Sequence, residues 1–201
     1  MMIQGVSINE MISQSMTVLT KPSIQSFEQF EKRGGKREAL IYVVIAAVLV
    51  GVVGLVFGLL GGLAGAAVGL LRGVFALVGF YVFAFVLNYV GKQQGGTGTE
   101  DEVFYTAALY TAPILAVTGV VGAIPIIGCL ALPVTFALGI YQIYLGYLAA
   151  RSSMNLDQNK AIITVIAAIV AQFLVTALIG GAIFAAIIGA AAASGGFSTA
   201  P

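Results

Sequence analysis

ALIYVVIAAVLVGVVGLVFGLLGGLAGAAVGLL, residues 39–71, runs without one charged side chain. A helix buried in a water-soluble domain seldom exceeds about 20 residues, and about 20 apolar residues already cross a hydrocarbon layer of about 30 Å. The stretch therefore reads as one membrane span and the start of a second. Working outward from it, five spans fit, at approximately 39–60, 66–91, 103–121, 127–149 and 160–188. The composition agrees: 60% of the residues are hydrophobic and 8% are charged, against about 25% charged in soluble domains. The predicted fold class is all-α, a polytopic membrane protein of five transmembrane helices preceded by amphipathic N-terminal helices. Its expected divisions are a cytoplasmic amphipathic region over 1–38, a five-helix transmembrane domain over 39–191, and a short external tail over 192–201.

The first 38 residues carry their own helix signals. Ser7-Ile8-Asn9-Glu10 is a capping box, in which serine accepts from the amide of Glu10 and the glutamate reaches back. Ile8, Met11, Ile12, Met16, Val18 and Leu19 fall on one helical arc. Lys21-Pro22 ends that helix, because the residue before proline is pushed out of the helical region. A second short helix is expected from Pro22 to about Arg33, with Ile24, Phe27 and Phe30 on one face, stopped by Gly34-Gly35. Two placements are open for these helices: along the membrane surface, or packed on the cytoplasmic mouth of the bundle. The region has no short apolar core followed by a cleavage site, so the first span is expected to act as its own insertion signal.

Charge sets the orientation. Lys21, Lys32, Arg33, Lys36, Arg37, Lys92, Arg151 and Lys160 all fall on the side of the N-terminal region, and only Arg72 stands apart. The positive-inside rule then puts the N-terminus in the cytoplasm and the C-terminus outside. Lys32, Arg33, Lys36 and Arg37, with Phe27 beside them, are the candidate contacts to a partner or to lipid headgroups.

Helices in lipid associate through close backbone approach at small residues. Gly54, Gly58 and Gly62 repeat every four residues in the first span. Gly61, Gly65, Gly69 and Gly73 do so into the second, and Ala177, Gly181, Ala185 and Gly189 in the last. Each of these three seams is expected to pack within the chain, with a second copy of the chain as the alternative use for one of them. Pro125 is expected in the turn between spans three and four, while Pro113 and Pro133 are expected to kink those spans. Cys129 is the single cysteine, expected to pack as a small hydrophobe.

The residues offer little chemistry. Histidine is absent, which removes the commonest general base and metal ligand. No Asp or Glu falls inside a span, so coupling to protons or sodium is not expected. A net charge of +1 excludes binding to nucleic acid by phosphate neutralisation. Gly91-Lys92-Gln93 lacks the Ser or Thr that a phosphate-cradling loop places after its lysine. Glu100, Asp101 and Glu102 suit the positive end of a helix dipole. The candidate intramembrane polar residues are Arg72, Asn88, Tyr141, Gln142 and Tyr144. Arg72 either snorkels to the outer interface or faces the bundle interior. The tyrosines, Tyr105 and Tyr110 included, read as an interfacial belt, and Asn88 and Gln142 as interhelical hydrogen-bonding groups. No catalytic, cofactor-binding or metal-binding set can be assembled, and an enzyme is not expected.

Several motifs in order carry a family likeness: Pro22 with Phe27 ahead of span one, Phe85-Val86-Leu87-Asn88-Tyr89-Val90-Gly91-Lys92, then Gly95-Gly96-Thr97-Gly98-Thr99. Tyr105-Thr106-Ala107-Ala108-Leu109-Tyr110-Thr111-Ala112-Pro113, Pro125-Ile126-Ile127-Gly128 and Tyr141-Gln142-Ile143-Tyr144-Leu145 follow. From about Thr20 to Gly189 the chain resembles the Ypt-interacting protein family (YIP-one domain), especially its bacterial and archaeal members. The resemblance implies a five-helix membrane domain with a cytosolic N-terminus and an external C-terminus, in a bacterial or archaeal cytoplasmic membrane. Eukaryotic members bind Rab-type GTPases and act in vesicle traffic and membrane shaping. This sequence lacks their long acidic tail and its Asp-Leu-x-Gly-Pro type motif, so GTPase binding is not expected. The function expected is that of a non-enzymatic integral membrane protein. It would organise membrane or act as an accessory or scaffold subunit, with membrane lipid and a second copy or a membrane-protein partner around it. The alternative is a small channel or permease for a neutral solute or lipid, with the five polar residues lining its path.

Overall fold

The computed structural model of the chain describes residues 5–193, and the part of the expected external tail from residue 194 onward lies outside them. Every described element is a helix. α1 (Ile8–Thr20) and α2 (Ile24–Glu28) precede the long α3 (Lys36–Gly58), and a 3-10 turn (Leu59–Gly61) leads into α4 (Gly62–Gln93). α5 (Glu100–Ala123), the single turn α6 (Ile127–Leu130), α7 (Leu132–Ser153) and α8 (Gln158–Ala193) complete the chain. Four stretches are long and apolar enough to cross a membrane: Lys36–Gln93, Glu100–Ala123, Leu132–Ser153 and Gln158–Ile183. The first of them contains both α3 and α4, folded back on each other.

That fold-back is made by glycine. A Cβ on Gly54 would sit against the carbonyl of Gly69, one on Gly58 against that of Gly65, and one on Gly73 against that of Ala47. Each neighbour is backbone, so the two helices approach as closely as their main chains allow. Gly62, at φ 74, supplies the left-handed residue that the reversal needs. It meets nothing within 4 Å, so it serves the turn and not the seam assigned to it by spacing. α5 packs beside α3, where Gly119 lies under Val50. The third seam is different: Gly181 and Gly189 have no heavy atom of the described residues within 4 Å of a Cβ position, so no described residue covers that face of α8.

Three further expectations are corrected. Pro133 stands in the first turn of α7, where its missing N–H costs nothing, so it starts that helix and does not kink it. Pro113 does lie inside α5. Cys129 is exposed on α6. Tyr105 and Tyr110 are fully buried, so they belong to the core and not to an interfacial belt.

The N-terminal helices pack across one end of the bundle. Met11, Ser15 and Val18 are buried on the inner face of α1, while Ile12 and Met16 stay exposed. The capping box at Ser7 and Glu10 is formed as the sequence indicates.

Candidate functional site

The sequence concentrates its charge, and the fold brings it to one end. The starts of α3, α5 and α8 and the ends of α4 and α7 meet there, beneath α1 and α2. Apart from Arg72, every Lys, Arg, Asp and Glu of the chain lies in these segments or in the short links between them. Eight basic and eight acidic residues result, so this end is highly charged yet neutral in sum.

Side-chain hydroxyls fasten the N-terminal segment to the bundle. Tyr105 donates to Oε1 of Gln14 at 2.7 Å, and Tyr141 donates to the carbonyl of Leu19 at 2.6 Å. Ser15 and Tyr42 share a hydrogen bond of 3.1 Å. Ser152, near the end of α7, donates to Oε2 of Glu31 at 3.0 Å. Phe27 is fully buried, its ring edge-on to Tyr110 with centroids 6.2 Å apart. Gly34 lies so close beneath the Tyr105 ring that a Cβ there would overlap it. In α5, Thr99 caps Glu102 in a capping box. Asp101 accepts from the backbone N–H of Lys36 at 2.8 Å, and Glu100 accepts from its ammonium at 2.6 Å. That ammonium also stands 4.7 Å from the Phe104 ring centroid and 5.1 Å from that of Tyr81. A partly exposed pair of this kind contributes no more than about 1 kcal/mol, so its main effect is to fix where α3 begins relative to α5.

The loop between α4 and α5 packs on the end of α7. The amide of Thr97 donates to the carbonyl of Met154 at 3.1 Å, and Asn155 donates to Oγ1 of Thr97 at 3.0 Å. A Cβ at Gly98 would overlap the carbonyl of Ser153. The glycines of this loop therefore permit close packing of main chain.

Of the residues singled out for partner or lipid contact, Lys32, Arg33 and Arg37 are exposed at this end. Lys36 is occupied by Glu100 and Asp101, and Phe27 is an internal anchor. Burial pushes the carboxyl of Glu31 above the ordinary carboxylate range, the Ser152 hydroxyl opposes this, and Glu102 nearby adds to the rise. The folded protein then holds this proton to higher pH than the unfolded chain does. Stability accordingly falls as pH rises from the ordinary carboxylate value through the raised one, and is flat above it. Glu10 is shifted the other way, by its hydrogen bonds to Ser7, so its contribution is lost only below its ordinary range. Glu31→Gln keeps an acceptor for Ser152 and should remove that downward slope in melting temperature. Identical slopes for the two proteins would show that Glu31 is not its source.

The intramembrane candidates do not converge on one path. Arg72 is exposed and donates from Nη1 to the carbonyl of Gly122 at 3.3 Å, at the far end of α5. Asn88 is near the other end of α4, with Oδ1 buried and unpartnered among the described residues. Tyr141 is committed to Leu19, and Tyr144 is exposed beside it, ring centroids 6.4 Å apart. Gln142 points elsewhere, into a groove of about 540 Å³ between α4, α7 and α8.

That groove holds polar residues which sequence reasoning passed over: Gln172 and Thr176 of α8, and Thr135 of α7. Gly79 of α4 lets α8 come close, since a Cβ there would stand 3.1 Å from Nε2 of Gln172. The available signal was the single neutral amide interrupting an apolar run, Ala171-Gln172-Phe173. Among the described residues no group of three or more His, Cys, Asp or Glu is placed to hold a metal ion.

Comparison with curated proteins and with solved structures finds no match. A family model does match: the Yip1 domain, over residues 16–180, from α1 into α8. With the apolar helices this makes the protein integral to a membrane, and the chain belongs to the Yip1 domain family.

Proposed function

We propose that this chain is a non-enzymatic membrane protein that organises membrane or serves as an accessory subunit of a partner complex, using its charged end as the contact surface. In this reading α3, α4, α5, α7 and α8 each cross the bilayer, with the N-terminus cytoplasmic and the C-terminus external, in a bacterial or archaeal cytoplasmic membrane. The observation that carries it is the segregation of charge: eight Lys or Arg at one end, and Arg72 alone elsewhere. The acids at that end balance the cations, which suits a patterned protein partner better than a purely basic lipid-binding patch. The separation of Arg72 at one end of α4, Asn88 near its other end and the Tyr141–Tyr144 pair on α7 favours this reading over a conduit through the bundle.

The test is a charge reversal, Lys32→Glu with Arg33→Glu and Arg37→Glu, on residues exposed enough to leave folding intact. Gentle extraction into nanodiscs followed by native mass spectrometry should find a stoichiometric partner or self-assembly with the parent chain. The variant should lose it by at least about tenfold while melting unchanged. A parent chain that emerges monomeric and leaves vesicle shape unaltered would overturn the proposal.

A further inference from the structure

The groove between α4, α7 and α8 opens toward the surface that faces the bilayer, flanked by Phe136, 72% exposed, and Phe173, 69% exposed. Its walls are mostly apolar, yet Gln142 of α7 and Gln172 of α8 both line it. Neither side-chain amide hydrogen-bonds to another described residue. Gln142 is 11 residues before the end of α7 and Gln172 is 14 residues after the start of α8. At 1.5 Å per residue both lie about 16–21 Å from the connection between these helices, near the middle of a hydrocarbon layer of about 30 Å. An unpartnered amide at that depth is costly.

Beyond the groove's inner wall a third unpartnered group waits. Tyr110 is fully buried, and its hydroxyl has no partner among the described residues. A Cβ on Gly146 would lie 3.2 Å from that hydroxyl and 3.6 Å from both Phe83 and Val165, two residues of the groove wall. The absence of a side chain at Gly146 leaves the hydroxyl next to the space between them.

We propose that this groove is a binding site for a neutral lipid that carries a carbonyl or hydroxyl head on an apolar body, its head between Gln142 and Gln172. The chemistry selects the class. The groove lining has no charged side chain to hold a phosphate or ammonium, and a phospholipid keeps its headgroup at the interface, far from these amides. A neutral head can descend to the midplane, accept from the amide N–H groups and donate to their carbonyls, as a diacylglycerol does, or accept alone, as an isoprenoid quinone does. The proposal rests on the helices lying in a bilayer and not on the scaffold role.

The full chain is placed in phosphatidylcholine nanodiscs doped with dioctanoylglycerol or with a short-chain isoprenoid quinone, and retained lipid is measured by native mass spectrometry. One equivalent of one probe should remain with the parent protein, and which probe remains identifies the source. Gln142→Leu with Gln172→Leu should weaken retention by about tenfold. Gly139→Leu offers a second, fold-neutral variant: Gly139 lines the groove and nothing lies within 4 Å of its Cβ position. Leucine there should fill the groove, abolish retention and leave the melting temperature unchanged or higher. Retention of phosphatidylcholine only, of no lipid, or of the probe equally by all variants would each overturn the proposal. The charge-reversed variant should keep its lipid, so loss of the partner surface and loss of the groove are read separately.

Discussion

Replacing Gly69 by alanine is expected to destabilise the protein by about 3 kcal/mol, the upper end of the usual cost of overpacking, and replacing it by leucine to keep α3 and α4 from closing. The neighbours decide this. A Cβ at Gly69 would overlap the carbonyl of Gly54 and crowd the backbone nitrogen of Leu55. Side chains can rotate away from an intruding methyl, but a helix backbone can only withdraw as a whole. Withdrawal also opens the matching contact between Gly58 and Gly65, since both lie on the same seam. Gly181→Ala is the control, because that position meets nothing within 4 Å. There alanine removes only glycine's excess backbone freedom, so stability should stay level or rise by about 0.5–1 kcal/mol. Thermal unfolding of the parent chain and these variants in one detergent decides the matter. If Gly69→Ala melts with the parent chain, the hairpin is not held by main-chain contact.

What could be read in the sequence was local. The Ser7–Glu10 capping box is visible because both partners lie within one helical turn, and so is the glycine period that closes α3 on α4. The same kind of pattern failed in α8, since spacing says that a helix has a smooth face but not whether anything covers it. Glu100 and Asp101 were read as complements to a helix dipole. They also reach Lys36, 64 and 65 positions away, a contact that no local rule could supply. The tyrosines show the same limit. A tyrosine near a span's end is usually interfacial, yet Tyr105 is buried because residues 14 and 34, far back in the chain, fold over it. Gln142 could be recognised as a polar group in an apolar helix, but its companion Gln172 became apparent only once α7 and α8 were placed against α4.

Phe27→Ala should show that this aromatic holds the charged end together from within. The side chain is fully buried, and truncating a core phenylalanine costs about 3–5 kcal/mol, part of which here is the edge-on contact with Tyr110. The loss would fall mainly on α1 and α2, because Phe27 sits between the hydroxyl contacts that hold α1 (Tyr105 to Gln14, Tyr141 to Leu19) and the contact of Ser152 with Glu31. Amides of α1 and α2 should therefore exchange with solvent faster by orders of magnitude, while those of α3 to α5 change little. The variant should also lose any partner, but with altered exchange, unlike the charge-reversed chain, which should lose the partner with its exchange pattern intact. The two variants thus separate the surface that is recognised from the packing that presents it. Should Phe27→Ala keep its stability and its protection and still lose the partner, Phe27 would be a contact residue, and the anchoring role assigned to its buried ring would be mistaken.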